Sequence, residues 1–197
     1  TESPQGILLV VRPGLAAPEA VFDHYGPALV VAVEGLQDPG NLGTIMRSAE
    51  AFGARAVAVV SGAQASAEAV HPYHPKVLRS SMGAAFRLKV AHGLSASEFI
   101  GLCRRNGIQV VATAAGGSLM PHQVDWTRPT ALIIGNEGAG LDEATLASAD
   151  AVVRIPMPGR AESLNAAVAA GVVLYEAAMR RSGVDREGQS SAASKRG

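Results

Sequence analysis

Residues 155–181 restrict the possible folds of this chain more than any other stretch. Prolines at positions 156 and 158 each fix one backbone angle and remove one N–H donor, so the chain there is extended and non-helical. Ser163 follows as a good N-cap residue, which predicts a helix that begins there and ends at Arg181. The sequence therefore predicts a rigid segment that leads directly into a long helix.

The predicted helix is apolar on two sides. Small and apolar residues recur at intervals of three and four, which is typical of a buried helix face. That face comprises Leu164, Ala167, Val168, Gly171, Val172, Tyr175, Ala178 and Met179, and a second face comprises Val173, Leu174 and Ala177. We expect the domain to cover one face and a further surface to cover the other. Capping explains Ser163, whereas neither capping nor packing explains Asn165.

Apolar runs alternate with helical patterns along the rest of the chain. Strands are predicted at 7–11, 28–33, 56–60, 86–90, 108–112, 131–134 and 151–155, and helices at 17–25, 41–52, 76–82, 95–106 and 141–147. Asn41 is the expected N-cap of the second helix, and Ser95 with Glu98 forms the capping box of the fourth. This alternation indicates an α/β, Rossmann-like fold with a parallel sheet.

The composition describes one well-packed domain. The 197 residues are 48% hydrophobic and 17% charged, and the formal net charge is zero. An RNA partner would therefore need a local basic patch or another domain, because the chain has no overall positive field. The single cysteine excludes an internal disulfide and fits a cytoplasmic location. No apolar run approaches the roughly 18 residues that a membrane span needs.

Three polar, glycine-containing segments follow three of the predicted strands. They are DPGNLGTIMRSA at 38–49, IGNEGAG at 134–140 and IPMPGRAESLN at 155–165. In open α/β sheets, ligands bind beyond the carboxyl ends of the strands. The three segments therefore predict one shared pocket.

In order and spacing, these segments resemble the three motifs of the SpoU/TrmH family of RNA 2′-O-ribose methyltransferases. The resemblance covers residues 28–181. It implies the SPOUT fold, in which the C-terminal segment forms a deep trefoil knot, with S-adenosylmethionine bound in the knot. It also implies a homodimer packed through the C-terminal helix, which would explain why that helix has two apolar faces. Neither a metal nor a membrane is expected as a partner.

The resemblance implies roles for individual residues. The expected catalytic residues are Asn41, Arg47, Glu137, Ser163 and Asn165. Arg47 is expected near the target ribose in a positioning and electrostatic role, because an arginine pKa above about 12 makes a poor general base. Glu137 would order Arg47 or neighbouring backbone donors.

The expected cofactor-binding residues come mainly from the second and third motifs. They are Thr113, Ala114, Gly135, Asn136, Gly138, Ile155, Met157, Leu164 and Asn165. Main-chain recognition of adenine requires a close approach of the backbone, and a glycine at position 135 permits it.

A further segment and the chain ends complete the expected organisation. RSSMGA at 79–84 resembles a segment that lines the RNA side in the family, so Arg79 and Ser81 join Arg47 as expected RNA-binding residues. Residues 1–6 resemble the linker that follows a small N-terminal RNA-binding domain, which favours ribosomal RNA as substrate. The catalytic domain is expected at 7–181 and a disordered tail at 182–197.

Three other functions remain open from the sequence. The substrate could be transfer RNA, or the chain could be a catalytically inactive RNA-binding module. A nucleotide-dependent oxidoreductase would also have an α/β sheet, but no GxGxxG follows the first strand. His71 and His74 suggest a metal only weakly, because no third ligand accompanies them.

Overall fold

The strands and helices alternate in a computed structural model that describes residues 6, 10, 14–22, 28–62, 69–136 and 138–183. The strands are β1 (Leu29–Glu34), β2 (Ala56–Ser61), β3 (Lys89–Ser95), β4 (Gln109–Thr113), β5 (Thr130–Ile134) and β6 (Ala151–Val153). The helices are α1 (Pro39–Ala51), α2 (Pro75–Ser80), α3 (Ala84–Arg87), α4 (Ala96–Arg105), α5 (Glu143–Ser148) and α6 (Ala166–Arg181). Short 3₁₀ helices cover Pro18–Phe22 and Pro121–Gln123.

The six strands form one parallel sheet in the order β3-β2-β1-β5-β4-β6. Val31 of β1 lies in register with Val57 of β2 and with Leu132 of β5. These strands are continuous apolar runs because both faces of a parallel sheet are covered. The predicted α/β class and parallel sheet are confirmed.

Each face of the sheet has its own apolar core. Leu29, Val31 and Val33 of β1 point into the core that contains α1 and α6. Val30 and Ala32 point into the opposite core, which contains α4. Side chains alternate between the two faces because the strand period is two.

No helix of the described residues is long and apolar enough to cross a membrane.

The predicted strand at 86–90 is wrong in its position. Phe86 and Arg87 end the short helix α3, and β3 begins at Lys89. Gly83, at φ 88°, is the N-cap of that helix, so the chain turns sharply before it. Residues 7–9 and 11 of the predicted first strand lie outside the described residues, as do residues 184–197 of the predicted tail.

Two predicted helix caps are also wrong. Asp38, not Asn41, caps α1, and its carboxylate accepts hydrogen bonds from the backbone N–H groups of Gly40 and Asn41. Asn165, not Ser163, caps α6. The capping box of α4 is confirmed, with Ser95 Oγ accepting from Glu98 N at 3.2 Å.

The structure distinguishes the two predicted apolar faces of α6. The face with Val173, Leu174 and Ala177 is buried in the core. Val168, Val172 and Tyr175 of the other face are exposed by 52%, 43% and 45%. The core therefore covers the narrower face, whereas only part of the broader face lies at the surface, because Ala167 of that face is buried.

Helices α1 and α6 lie side by side and run in the same direction. At their N-terminal ends, Asn41 is bonded to Asn165. Further along, Phe52, the C-cap residue of α1, contacts Tyr175 of α6, with ring centroids 5.9 Å apart. This packing brings together two segments that are 124 residues apart in sequence.

Candidate active site

A cavity of about 360 Å³ opens at the carboxyl ends of β4, β5 and β6. Its walls come from three stretches of chain: the end of β4, the loop after β5 and the segment that leads into α6. The lining includes Thr113, Ala114, Gly135, Asn136, Gly138, Ser163, Leu164, Ile155 and Met157. The volume lies within the range of small-molecule pockets, about 300–1,000 Å³.

Nearly all of the expected cofactor residues therefore surround one cavity. Asn165 is the exception, because its neighbours Leu164 and Ala166 line the cavity and Asn165 itself does not. Ser163, expected to be catalytic, is also part of the wall. The second and third predicted segments thus meet at this cavity.

The loop of residues 135–142, here called the cavity loop, is tightly turned at its start. A Cβ on Gly135 would lie 2.5 Å from the carbonyl oxygen of Gly140, so no other residue fits without a backbone shift. Asn136 and Gly140 exchange two backbone hydrogen bonds of 3.0 Å. Asn136 Oδ1 also accepts from Gly138 N at 2.7 Å. Glu137, which the sequence predicts to be catalytic, lies in this loop but outside the described residues.

Glu34 holds the end of the cavity loop by hydrogen bonds. It is the last residue of β1 and only 2% exposed. Its carboxylate accepts from Asp142 N at 2.9 Å and from Thr145 Oγ at 2.7 Å. Burial raises the pKa of Glu34, and these two hydrogen bonds partly oppose that rise. Glu34 was not predicted as a site residue, because in the sequence it has the pattern of a polar residue at the end of a strand.

The loop after β4 passes very close to β6. Leu119 forms a parallel bridge with Val153. A Cβ on Gly117 would lie 2.6 Å from the backbone carbon of Val153. Glycine at this position therefore allows two backbone segments beside the cavity to touch.

Asn165 joins the first and third motifs. Its Oδ1 accepts from the backbone N–H groups of Ala167 and Val168, which caps α6. Its Nδ2 donates to Asn41 Oδ1 at 2.9 Å. Asn165 thus holds two roles at once, and its side chain fixes Asn41 beside the cavity wall formed by Leu164 and Ala166.

Arg47 lies on the exposed side of α1. It comes six residues after Asn41, which places it about 9 Å further along the helix axis. Among the described residues, no hydrogen bond or ion pair engages its guanidinium, and it does not line the cavity. Glu50, one turn later, pairs instead with Arg87 of α3. Arg47 is therefore available at the surface, more than one turn along α1 from the Asn41–Asn165 pair.

Helix α2 fixes the start of α1. Lys76 Nζ contacts Asp38 Oδ1 at 2.7 Å, and this bond lowers the pKa of the Asp38 carboxyl. A Cβ on Gly43 would lie 2.6 Å from the Val77 carbonyl oxygen, so the two helices meet at that glycine. Asp38 and Lys76 were not predicted as site residues. In the sequence, the Asp38-Pro39 pair that starts the first motif was the available signal that Asp38 is the N-cap of α1.

The two expected RNA-binding residues of the 79–84 segment differ in exposure. Arg79 is exposed. Ser81 is fully buried, and its hydroxyl donates to Leu78 O at 3.0 Å. Ser81 therefore stabilises the end of α2 and has no exposed surface, and its role in RNA binding stays a prediction.

His71 and His74 both have local structural partners. His71 Nδ1 accepts from Tyr73 N, and His74 Nδ1 accepts from Lys76 N, each at 3.2 Å. His74 thereby caps α2. Across the described parts of the chain, no group of three or more His, Cys, Asp or Glu residues could hold a metal ion.

Comparison with known proteins identifies the family. The model of the SpoU rRNA Methylase family matches residues 28–175. This chain belongs to the SpoU methylase family. Over 183 residues it is 40% identical to an uncharacterized tRNA/rRNA methyltransferase of Mycolicibacterium paratuberculosis, and the match covers 91% of this chain and 57% of that protein.

Crystal structures of SpoU methyltransferases share the fold. AviRb from Streptomyces viridochromogenes, in complex with the cofactor AdoMet, superposes with a TM-score of 0.73 at 38% identity. That match covers 82% of this chain and 61% of AviRb. An RNA 2′-O ribose methyltransferase gives a TM-score of 0.71 at 36% identity, covering 90% of this chain and 62% of that structure. This chain thus spans 57% to 62% of the length of these three proteins.

Proposed function

We propose that this chain transfers a methyl group from S-adenosylmethionine to a ribose 2′-OH of RNA. The observation that carries the proposal is the Asn165–Asn41 hydrogen bond of 2.9 Å beside the cavity. It joins polar groups of two distant motifs at the rim of a pocket of suitable size. The AdoMet complex of AviRb and the 2′-O ribose methyltransferase among the structural neighbours support the same activity.

The cavity residues fit the proposed cofactor. Apolar side chains such as Leu141, Ile155 and Leu164 can enclose an adenine ring, and the backbone of the cavity loop can supply its hydrogen bonds. When bound, S-adenosylmethionine supplies an electrophilic methyl group. The protein then has to orient the ribose hydroxyl in line with that group and exclude competing water.

The polar residues at the rim would carry out the remaining tasks. Asn41 and Asn165, fixed by their mutual bond, are proposed to orient the ribose. Arg47 is proposed to bind the adjacent phosphate and to stabilise the developing alkoxide electrostatically. An arginine keeps its proton in proteins and is unsuitable as the base, so the proton would pass to phosphate or water. Glu137 and Ser163 remain proposed members of this group.

The wider assembly is also part of the proposal. The close passage of the 114–119 loop over β6 is compatible with a C-terminal trefoil knot, which the family resemblance implies. The exposed apolar face of α6 would be buried in a homodimer. An N-terminal RNA-binding domain ahead of residue 7, with ribosomal RNA as substrate, is proposed on the resemblance of residues 1–6 to a family linker.

Incorporation of labelled methyl groups into RNA tests the activity. We expect the full-length protein to methylate a ribose 2′-OH in total ribosomal RNA, at a position that reverse transcription at low nucleotide concentration maps. Arg47→Ala should abolish incorporation. Arg105→Ala, which alters an exposed cation on α4, is the matched control and should retain it.

The alternatives give different results in the same assay. Methylation of transfer RNA alone would change the substrate and leave the chemistry intact. RNA binding without incorporation by either protein would indicate an inactive RNA-binding module. Calorimetry with S-adenosylhomocysteine and NAD addresses the oxidoreductase alternative, and binding to NAD alone would contradict the proposed function.

A further inference from the structure

Glu34 is a buried carboxylate that the proposed chemistry does not use. It ends β1 at 2% exposure and does not line the cavity. Removal of a carboxylate from water is costly unless hydrogen-bond donors compensate. Here the two donors are Asp142 N at 2.9 Å and Thr145 Oγ at 2.7 Å. Asp142 is the last residue of the cavity loop, and Thr145 lies in α5, the helix that follows it.

The residue after Glu34 binds the other end of the same loop. The Gly35 carbonyl accepts from Asn136 Nδ2 at 2.9 Å. Asn136 Oδ1 in turn accepts from the N–H groups of Gly138 and Ala139. The end of β1 therefore holds the cavity loop at its first and last turns, by contacts between residues more than 100 positions apart.

The packing around Glu34 leaves little space for adjustment. A Cβ on Gly62, at the end of β2, would lie 2.5 Å from Asp142 Oδ2 and 3.1 Å from Glu34 Oε1. The carboxylate is thus enclosed between the ends of two strands and the start of α5. A side chain without a hydrogen-bonding group on each of its two terminal atoms could not hold both partners in this arrangement.

From these contacts, we propose that Glu34 is a positioning residue that sets the cavity loop for cofactor binding. It acts through Asp142 and Thr145 and touches no bound molecule itself. The backbone of Gly135, Gly138 and Gly140 then has the fixed position that main-chain recognition of a nucleoside requires. This inference rests on the proposed function, because it assigns Glu34 to the S-adenosylmethionine site.

Calorimetric titration of the full-length protein with S-adenosylhomocysteine tests the inference. Glu34→Met keeps the length of the side chain but leaves both donors without an acceptor, so the dissociation constant should rise about tenfold or more. Glu34→Gln should restore affinity to within about threefold of the wild type. Its amide oxygen can accept from Asp142 N, and its NH₂ group can donate to the Thr145 hydroxyl.

A matched control separates positioning from general stability. Asp150 also accepts a backbone hydrogen bond, from Val110 N at 2.7 Å, at the opposite end of β4 from the cavity. Asp150→Ala should lower the melting temperature and leave the dissociation constant unchanged. In steady-state assays, Glu34→Met should raise KM for S-adenosylmethionine far more than it lowers kcat.

Several outcomes would overturn the inference. A dissociation constant for Glu34→Met within about threefold of the wild type would do so, as would equal weakening in Glu34→Gln. If Glu34→Met does not fold, Thr145→Val should weaken binding severalfold and Thr145→Ser should restore it, and equal affinities in this pair would contradict the inference.

Failure of the proposed function gives a different result. The wild type would then not bind S-adenosylhomocysteine at all. Hydrogen exchange still tests the role of Glu34 in that case, because amides of residues 138–142 should exchange faster in Glu34→Met and not in Asp150→Ala. Unchanged exchange in Glu34→Met would contradict the inference independently of any ligand.

Discussion

Asn165 combines a structural role and a proposed catalytic role, and these use different atoms. Oδ1 caps α6, whereas Nδ2 donates to Asn41. Replacement of the amide by a carboxylate keeps the acceptor and removes the donor. We expect Asn165→Asp to unfold at nearly the wild-type denaturant concentration, because aspartate is an equally good N-cap. Its methyl transfer should fall by about tenfold or more, because Asn41 loses its bond.

Asn165→Ala is the comparison that completes this prediction. It removes both bonds, so it should lose about 1 kcal/mol of stability in addition to the activity. Urea unfolding followed by circular dichroism and the methyl-incorporation assay measure the two effects separately. Normal activity in Asn165→Asp would show that the Asn41 contact has no part in the reaction.

The raised pKa of Glu34 makes stability depend on pH in a definite direction. Burial is the main cause of the rise. The folded protein then holds a proton at Glu34 that the unfolded chain has released, so the free energy of unfolding falls as pH rises from the ordinary carboxyl pKa through the raised one. Glu34→Gln removes this contribution. The difference in unfolding free energy between wild type and variant should therefore change over this pH range, and a constant difference would contradict the prediction.

At the scale of elements, contact between α1 and α2 depends on Gly43. A Cβ there would lie 2.6 Å from the Val77 carbonyl oxygen and closer still to Ser80 Oγ. We expect Gly43→Ala to lose about 1–3 kcal/mol in urea unfolding, because α2 must move away. Gly101→Ala in α4 is the control. Its Cβ would meet only Arg105 Nη1, at 3.5 Å, so this variant should gain up to about 1 kcal/mol from helix propensity.

The strands and most helices could be predicted because their signals are local. Continuous apolar runs identify strands buried on both faces, and the Ser95–Glu98 capping box marks the start of α4 without reference to other elements. The strand predicted at 86–90 was wrong because apolar content alone does not separate a strand from a single helical turn after a glycine.

The errors at the site arose where several local choices were equivalent. Asp38 and Asn41, or Ser163 and Asn165, are equally good N-caps, and only the positions of α1 and α6 in the fold select between them. The two apolar faces of α6 were likewise equivalent until the sheet was in place. Glu34 could not be found because its donors are 108 and 111 residues away in sequence.

At the scale of the whole molecule, the exposed face of α6 predicts self-association. Val168, Val172 and Tyr175 form one apolar stripe on a helix whose opposite side is in the core. We expect the full-length protein to be a dimer by analytical ultracentrifugation and Val172→Glu to be a monomer, since a buried unpaired charge opposes the interface. Arg105→Glu on α4 should remain dimeric. A monomeric wild type at micromolar concentration would exclude this role for the stripe.

The order of strands in the sheet determines when this protein can acquire its structure during synthesis. β1 has β5 as one of its two neighbours, and Leu29 cannot pair on that side until Thr130 has been synthesised. Until then, a growing chain carries an apolar strand with open hydrogen-bonding groups, which is a template for aggregation. Such distant pairings also slow folding. The nascent polypeptide should therefore depend on chaperones until β5 has left the ribosome.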